Sequence, residues 1–340
     1  MRYQAKHSSC PCVILPVHRK PLAATYASIA NFLSILPSSG YEKEWILNNL
    51  MIPLYVEEPE TGPQYRFSEP LYQDCCFMDH HEFYRYRDMT PEQFLEFLYQ
   101  ALLHHTYIVV RTNERYIPHT LVYQIADLSH RQLVYGMDWE KEIIYLMLHT
   151  NHRQYRSVSV SFSDFLQGFQ ALTEFKPLRL IRIQHSVPYS ILWHNIACDF
   201  QVYLEGRIVP HEGKNVYFGI AAARQLMDYL HSVAAGRIEL DIRMISAYVD
   251  HKQAVFRKLE LLEEQGVGEG AKLAQAFRPV VELAEISQFR LLHYLSTPLL
   301  SDLESTVQHI SAVCAMEEKL YPQFVRHVER KIVKNTGSIS

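Results

Sequence analysis

The sequence predicts an α+β protein. It places a mixed N-terminal domain over residues 10–175, a β and loop linker region over 176–215, and a helical domain over 216–333. Three observations lead there: short strands and helices intermingle through the first half, a two-strand pattern surrounds residues 131–148, and apolar residues recur at helical spacing from residue 216 onward. At about 150 residues per domain, 340 residues make roughly two domains.

The N-terminal elements follow in order. Residues 12–17 form a short apolar strand. Pro21 opens a helix whose apolar side is Leu22, Tyr26, Ile29, Phe32 and Leu33, stopped by Pro37, Ser38, Ser39 and Gly40. A second short helix covers 41–51, with Trp45 and Leu50 on its apolar side. Pro59, Gly62, Pro63 and Pro70 make residues 55–70 a long loop. Thr90, Pro91 and Gln93 spell a helix start, with Thr as N-cap, Pro in the first turn and Gln three residues on. A strand follows over 107–110. Residues 131–137 and 142–148 flank Asp138, Trp139, Glu140 and Lys141 and read as a β-hairpin. Ser163 then caps a helix over 164–171.

Residues 178–183 alternate as a strand, and Val202, Tyr203 and Leu204 read as strand or loop before Gly206. Three helices follow. The first carries Ile242, Ile245, Val249, Phe256, Leu259 and Leu262, and Gly266 and Gly268 end it. The second carries Phe277, Val280, Val281, Ile286, Phe289 and Leu292. The third carries Leu303, Val307, Ile310, Cys314, Leu320, Phe324, Val328 and Ile332, with Pro322 inside it and a fraying tail from Lys334. An antiparallel bundle is the simplest packing for them.

Composition narrows the function. Apolar residues make up 48% and charged residues 21%, a globular balance, and 22 Tyr suit half-buried strands. A net charge of −4 offers no basic excess for nucleic acid. No apolar run reaches membrane-spanning length, and residues 1–20 lack a signal-peptide core, so a cytoplasmic protein without membrane association is expected. Cys10 with Cys12, the adjacent Cys75 and Cys76, and the separate Cys198 and Cys314 are too few for a disulfide scaffold and lack zinc-knuckle spacing. The His80–His81 and His104–His105 pairs and the Asp79 to Glu82 cluster point neighbouring side chains in different directions, which argues against a metal. Gly206, Gly213 and Gly219 are dispersed, and Gly266, Gly268 and Gly270 join helices instead of following a strand. No nucleotide or other cofactor is therefore expected.

The hairpin carries the candidate chemistry. His130 opens its first strand. Asp138 lies eight residues along that strand, about 26 Å away, and is a turn residue. A two-residue turn at 139–140 would place Asp138 opposite Lys141, His130 opposite His149, and Asn151 diagonally beyond, within side-chain reach. A His oriented by an Asn or Asp on the neighbouring strand is the arrangement of papain-like enzymes. The plainer alternatives are a strand-end His bonded to backbone, a loop Asn capping the strand end, and a Cys12 that packs on its strand.

Residues 130–138, with 91–116 before them and the helix after Ser163, resemble the butirosin biosynthesis protein H family. So does Asp250–His251–Lys252 in the helix after Asp241, Ile242 and Arg243, and the resemblance covers about residues 12–265. It implies a C39- or papain-type cysteine-peptidase-like fold for the N-terminal domain. It also implies a role beside non-ribosomal peptide or polyketide assembly: acyl transfer from an acyl- or peptidyl-carrier protein to a small-molecule amine or peptide acceptor. His130 matches the family's His. The family's nucleophilic Cys would stand at the start of the first helix, where this chain has Ala23, Ala24 and Thr25. Cys12, about ten residues earlier, is the displaced candidate, with His149 or Asn151 orienting His130. The departure leaves two expectations: an accessory acyltransferase or hydrolase, or an inactive relative that binds a carrier protein, synthetase or peptidyl intermediate. On the bland reading, the charges of Asp250 and Lys252 form a solvated face or tie the helical region to the first domain.

Overall fold

The computed structural model describes residues 11–49, 52–58, 62–67, 75–174, 176–268 and 272–337. In chain order its strands are β1 (Cys12–Ile14), β2 (Pro53–Glu58), β3 (Gly62–Phe67), β4 (Met78–Phe83), β5 (Thr106–Asn113), β6 (Ser129–Asp138), β7 (Ile143–His149), β8 (Tyr155–Ser161), β9 (Leu178–Ile183), β10 (Ile208–His211) and β11 (Lys214–Phe218). Its helices are α1 (Ala27–Ile35), α2 (Glu42–Asn48), α3 (Pro91–Leu103), α4 (Phe162–Gln170), α5 (Trp193–Glu205), α6 (Ile220–Ala234), α7 (Ile242–Glu264), α8 (Leu273–Ser296) and α9 (Leu300–Gly337). The fold is α+β with a helical C-terminal region, and it forms two compact units: Met1–Glu42 with Pro70–Tyr189, and Lys43–Glu69 with Ser190–Ser340.

The first unit is built on an antiparallel sheet in the order β4-β9-β5-β6-β7-β8, with β1 paired to the last three residues of β6. Every residue of β5 from Thr106 to Val110 is buried, so both faces of the sheet are covered there. α1 packs on β6 and β7, and α3 on β5 and β6. Phe94 of α3 stacks on Phe169 of α4 at 4.2 Å between ring centroids, and Tyr86 lies 5.2 Å from Phe169. The α3 start carries the capping box expected of Thr90 and Gln93, each side chain bonding the other's backbone N–H. α1 begins later than Pro21 predicts: residues 21–26 are irregular and the helix opens at Ala27. The α4 cap is Ser161, whose hydroxyl accepts from the Asp164 amide, two residues before the predicted Ser163.

The hairpin register also differs. Asp138 pairs with Ile143 instead of Lys141, because Trp139–Glu142 make a longer loop. Asp138 holds that loop by accepting from the Lys141 amide at 3.0 Å and from its Nζ at 2.8 Å, while Glu142 takes a left-handed φ of 52°. The register then shifts between Val134 and Gly136, which sets Leu133 opposite Met147. Continuing that ladder brings His149 level with Arg131, one residue from the predicted partner.

The second unit pairs two hairpins into one sheet, in the order β10-β11-β2-β3. Much of the loop predicted over 55–70 is thus the β2–β3 pair, with Leu54, Val56 and Val216 forming a small core. Pro63 is accommodated because β3 is an edge strand. The linker predicted over 176–215 is not one element. β9 belongs to the first sheet, and Val202, Tyr203 and Leu204 lie in α5, where Ile196, Phe200 and Tyr203 recur at helical spacing and Gly206 closes the helix in a left-handed conformation. α8 packs on both α7 and α9, as a bundle requires. Ile286, Phe289 and Leu292 of α8, predicted to face the core, are exposed, with Phe289 at 72%. The predicted Leu50 lies outside the described residues, as does Cys10, and α9 stays helical to Gly337.

The largest departure from expectation is at Lys252. Predicted on a solvated or bridging face, it and His251 are wholly buried. Lys252 Nζ donates to Glu317 at 2.7 Å and to the Tyr203 hydroxyl at 2.8 Å, and it lies 4.7 Å from the centre of the Tyr248 ring. The Tyr203 and Tyr321 hydroxyls both donate to Glu317. Burial this deep is sustained only because the charges are paired and hydrogen-bonded.

Candidate functional site

The candidate site grows from the end of β5. Asn113 closes that strand, and its carboxamide accepts from the Arg115 and Leu128 amides while donating to Asp127 at 2.8 Å. These bonds fix a short 3-10 turn, Glu114–Tyr116. The Glu114 amide donates to the Leu128 carbonyl, and the Thr120 hydroxyl donates to the Glu114 carbonyl. α4 presses on this turn at Gly168. A Cβ there would lie 2.9 Å from the Ile117 side chain and 3.0 Å from the Asn113 carbonyl.

β5 and β6 pair with Thr112 opposite His130, which brings the turn to the start of β6. There the Nδ1–H of His130 donates to Oε1 of Glu114 at 2.7 Å. The Glu114 side chain is 4% exposed and that of His130 33%, so the carboxylate is sheltered while the imidazole reaches solvent. A carboxylate on Nδ1 fixes the tautomer and leaves Nε2 as an acceptor, the arrangement of a general base.

The ring of His149 stacks on His130 with centroids 5.6 Å apart. Its Nε2–H donates to the Ala24 carbonyl at 2.6 Å, and its buried Nδ1 has no partner. Burial holds this imidazole below its ordinary pKa, against the opposing pull of the Ala24 bond, so His149 is neutral near pH 7. Tyr155 meets His149 edge-on at 5.2 Å, and its hydroxyl bonds to Asn31 of α1.

The structure therefore brings His130 and His149 together and sets the segment before α1 against them. It does not bring in Cys12. Cys12 pairs with Asp138 at the opposite end of β6, about 26 Å of strand away from His130. Nor does Asn151 orient His130: it is exposed, its backbone N–H donates to the His119 carbonyl, and the imidazole nitrogen it was expected to hold is taken by Glu114. Sequence reasoning missed Glu114. Its local signal is an Asn-Glu step directly after an apolar strand, but only the β5–β6 pairing carries it to His130.

Cys75 is buried and Cys76 exposed in the first unit. In the second unit, burial and the nearby Glu317 push the Cys314 thiol up to about 12. Cys198 lies 3.5 Å from Nε2 of His194, one turn away on α5. Among the described residues no three His, Cys, Asp or Glu side chains converge as a metal site would need. Within the Asp79 to Glu82 cluster, His81 bonds Asp79 at 3.0 Å on the surface. No protein-family model matches this chain, and no curated protein matches it.

Proposed function

We propose that this chain is a relative of the butirosin H-like acyltransferases that has given up covalent thiol catalysis and acts in non-ribosomal peptide or polyketide assembly as a binding module for an acyl- or peptidyl-carrier protein. The observation that carries this reading is what faces the histidines. Where a nucleophilic thiol would stand, the Ala24 carbonyl accepts from His149 at 2.6 Å, and Cys12 sits at the far end of β6. The cysteine route needs a thiolate beside the imidazole, and Cys12 does not supply one.

A second reading rests on a different observation, the 2.7 Å bond between His130 and Glu114. An imidazole so oriented can take a proton from an acceptor amine while that amine attacks a bound thioester directly; the thiol leaves and no covalent enzyme intermediate is needed. No helix among the described residues is long and apolar enough to cross a membrane.

The test has two parts. Alkylation at neutral pH with mass-spectrometric mapping of all six cysteines is expected to show no thiol whose rate falls in His130→Ala. A thiol that reacts fast and slows in that variant would overturn the first reading. Binding of an acyl-carrier protein is then measured for the same variant. Retained binding with no acyl transfer supports the binding module, whereas transfer by the parent that is lost in His130→Ala supports the second reading.

A further inference from the structure

The sheet of the first unit carries a cluster of cations that the histidine site does not use. Arg111 and Arg131 are directly opposite each other on β5 and β6. Like charges paired across strands destabilise a sheet. Among the described residues no ion pair includes Arg111 or Arg131; Glu174 offsets part of the repulsion on Arg111, which donates to the Ser129 carbonyl at 3.3 Å. On the neighbouring strand Arg179 stands opposite Val109, which adds a third guanidinium to the same face. These three residues line a cavity of about 210 Å³ together with Lys176, Asn31 and Glu82.

The one carboxylate in that lining does not neutralise it. Glu82 accepts from the Tyr84 hydroxyl at 2.5 Å and lies 4.0 Å from Arg179, on a strand three places from that of Arg131. Lys176 pairs with Glu174 at 3.3 Å, outside the cavity lining. Asn31, wholly buried, gives its Oδ1 to Tyr155 and leaves its Nδ2–H₂ without an acceptor. The cavity thus gathers four cations, one carboxylate that sits on the Arg179 side, and an orphan amide donor. Partial burial and then Arg131 hold the Arg111 guanidinium below its ordinary pKa, against the opposing pull of Glu174.

We infer that this cavity binds a phosphate group, with Arg111 and Arg131 as its paired guanidinium clamp. Two forks one strand spacing apart offer more N–H donors than a planar carboxylate can accept, whereas the oxygens of a phosphate bridge both and still reach Lys176 or Arg179. The phosphate can come from a free small-molecule ester or from one carried on a protein. This inference goes beyond the carrier-protein reading and stands on cations that reading does not invoke.

The test is isothermal titration of the full chain with inorganic phosphate at constant ionic strength. One saturable site is expected, weakened about tenfold or more in Arg131→Gln, because a charge-assisted bond to the anion is lost. Without phosphate, Arg131→Gln should melt higher than the parent, since the like-charge contact is gone. Arg111→Gln is the second variant, should the first fail to fold. Glycerol phosphate and a phosphopantetheinylated carrier protein separate the sources, and tighter binding of either, lost in the variants, supports the site. Absence of saturable uptake, acetate binding as tightly as phosphate, or unchanged affinity in whichever of the two variants folds would overturn it. Because inorganic phosphate contains no carrier, failure here is distinct from failure of the proposed function.

Discussion

Lys252 and Glu317 form an ion pair at 2.7 Å with neither side chain exposed to solvent. The pair joins α7 to α9, and the Tyr203 hydroxyl bridges both partners. Removing one partner should leave the other charge buried and alone. Lys252→Met or Glu317→Leu alone is expected to cost about 3–5 kcal/mol, and the double variant much less, because an apolar pair replaces an ionic one. Urea denaturation of the two single variants and the double variant checks this. A double variant as unstable as the sum of the singles would contradict it.

Acid should weaken the fold through two histidines. His251 is wholly buried with neither ring nitrogen bonded, and it stacks on Tyr203 at 5.3 Å. Burial first, then Lys252 and Lys258, drive its pKa well below the ordinary value, and His149 is shifted the same way. A base whose folded pKa is depressed binds fewer protons folded than unfolded. Stability is therefore full above the unfolded value of about 6.5 and falls as pH drops below it, toward the folded pKa. His251→Phe keeps the stacked ring and removes the titration. Its denaturation midpoint should change less between pH 8 and pH 5 than that of the parent.

Gly168 is the point where α4 meets the turn that carries Glu114. A methyl group there needs the Asn113 carbonyl or Ile117 to move. Gly168→Ala is expected to cost about 1–3 kcal/mol as an overpacked contact. It should also displace the Glu114 carboxylate from His130, read as a change in the His130 imidazole resonances by NMR. Unchanged resonances in a destabilised variant would mean that the turn and the histidine are not coupled.

Thiol reactivity should follow the His194–Cys198 contact and not the His130 site. Cys198 lies 3.5 Å from His194, while Cys12 is a strand length from His130. Alkylation of Cys198 is expected to change in His194→Ala and to stay the same in His130→Ala. Rate measurements on both variants decide it, and a Cys198 rate unchanged in His194→Ala would contradict it.

Much of this was legible in the sequence because it is local. The capping box at Thr90 needs four consecutive residues. The turn at Asp138 needs one short side chain beside its own backbone. The helical spacing through α7 is read within single turns. Local patterns also misled where neighbours decide the outcome: Val202, Tyr203 and Leu204 are as apolar as a strand, yet they lie in a helix whose Tyr203 hydroxyl reaches Glu317. Residues 55–70 read as a loop in sequence, and only the pairing of β2 with β3 and with β11 makes most of them sheet.

The sequence alone determined the α+β class, the hairpin, the candidate His130 and the lack of a cysteine at the start of α1, since each is a property of residue type and short-range spacing. Only the tertiary structure decided the partners. Strand register put Cys12 at the wrong end of β6, brought Glu114 to His130, and set Arg111 against Arg131. Helix packing buried Lys252, whose flanking residues read as a charged surface, against a carboxylate 65 residues away. The physical reason is the same each time. A side chain's charge, exposure and reactivity depend on what faces it across a strand or helix interface, and those facing residues are far apart in the chain.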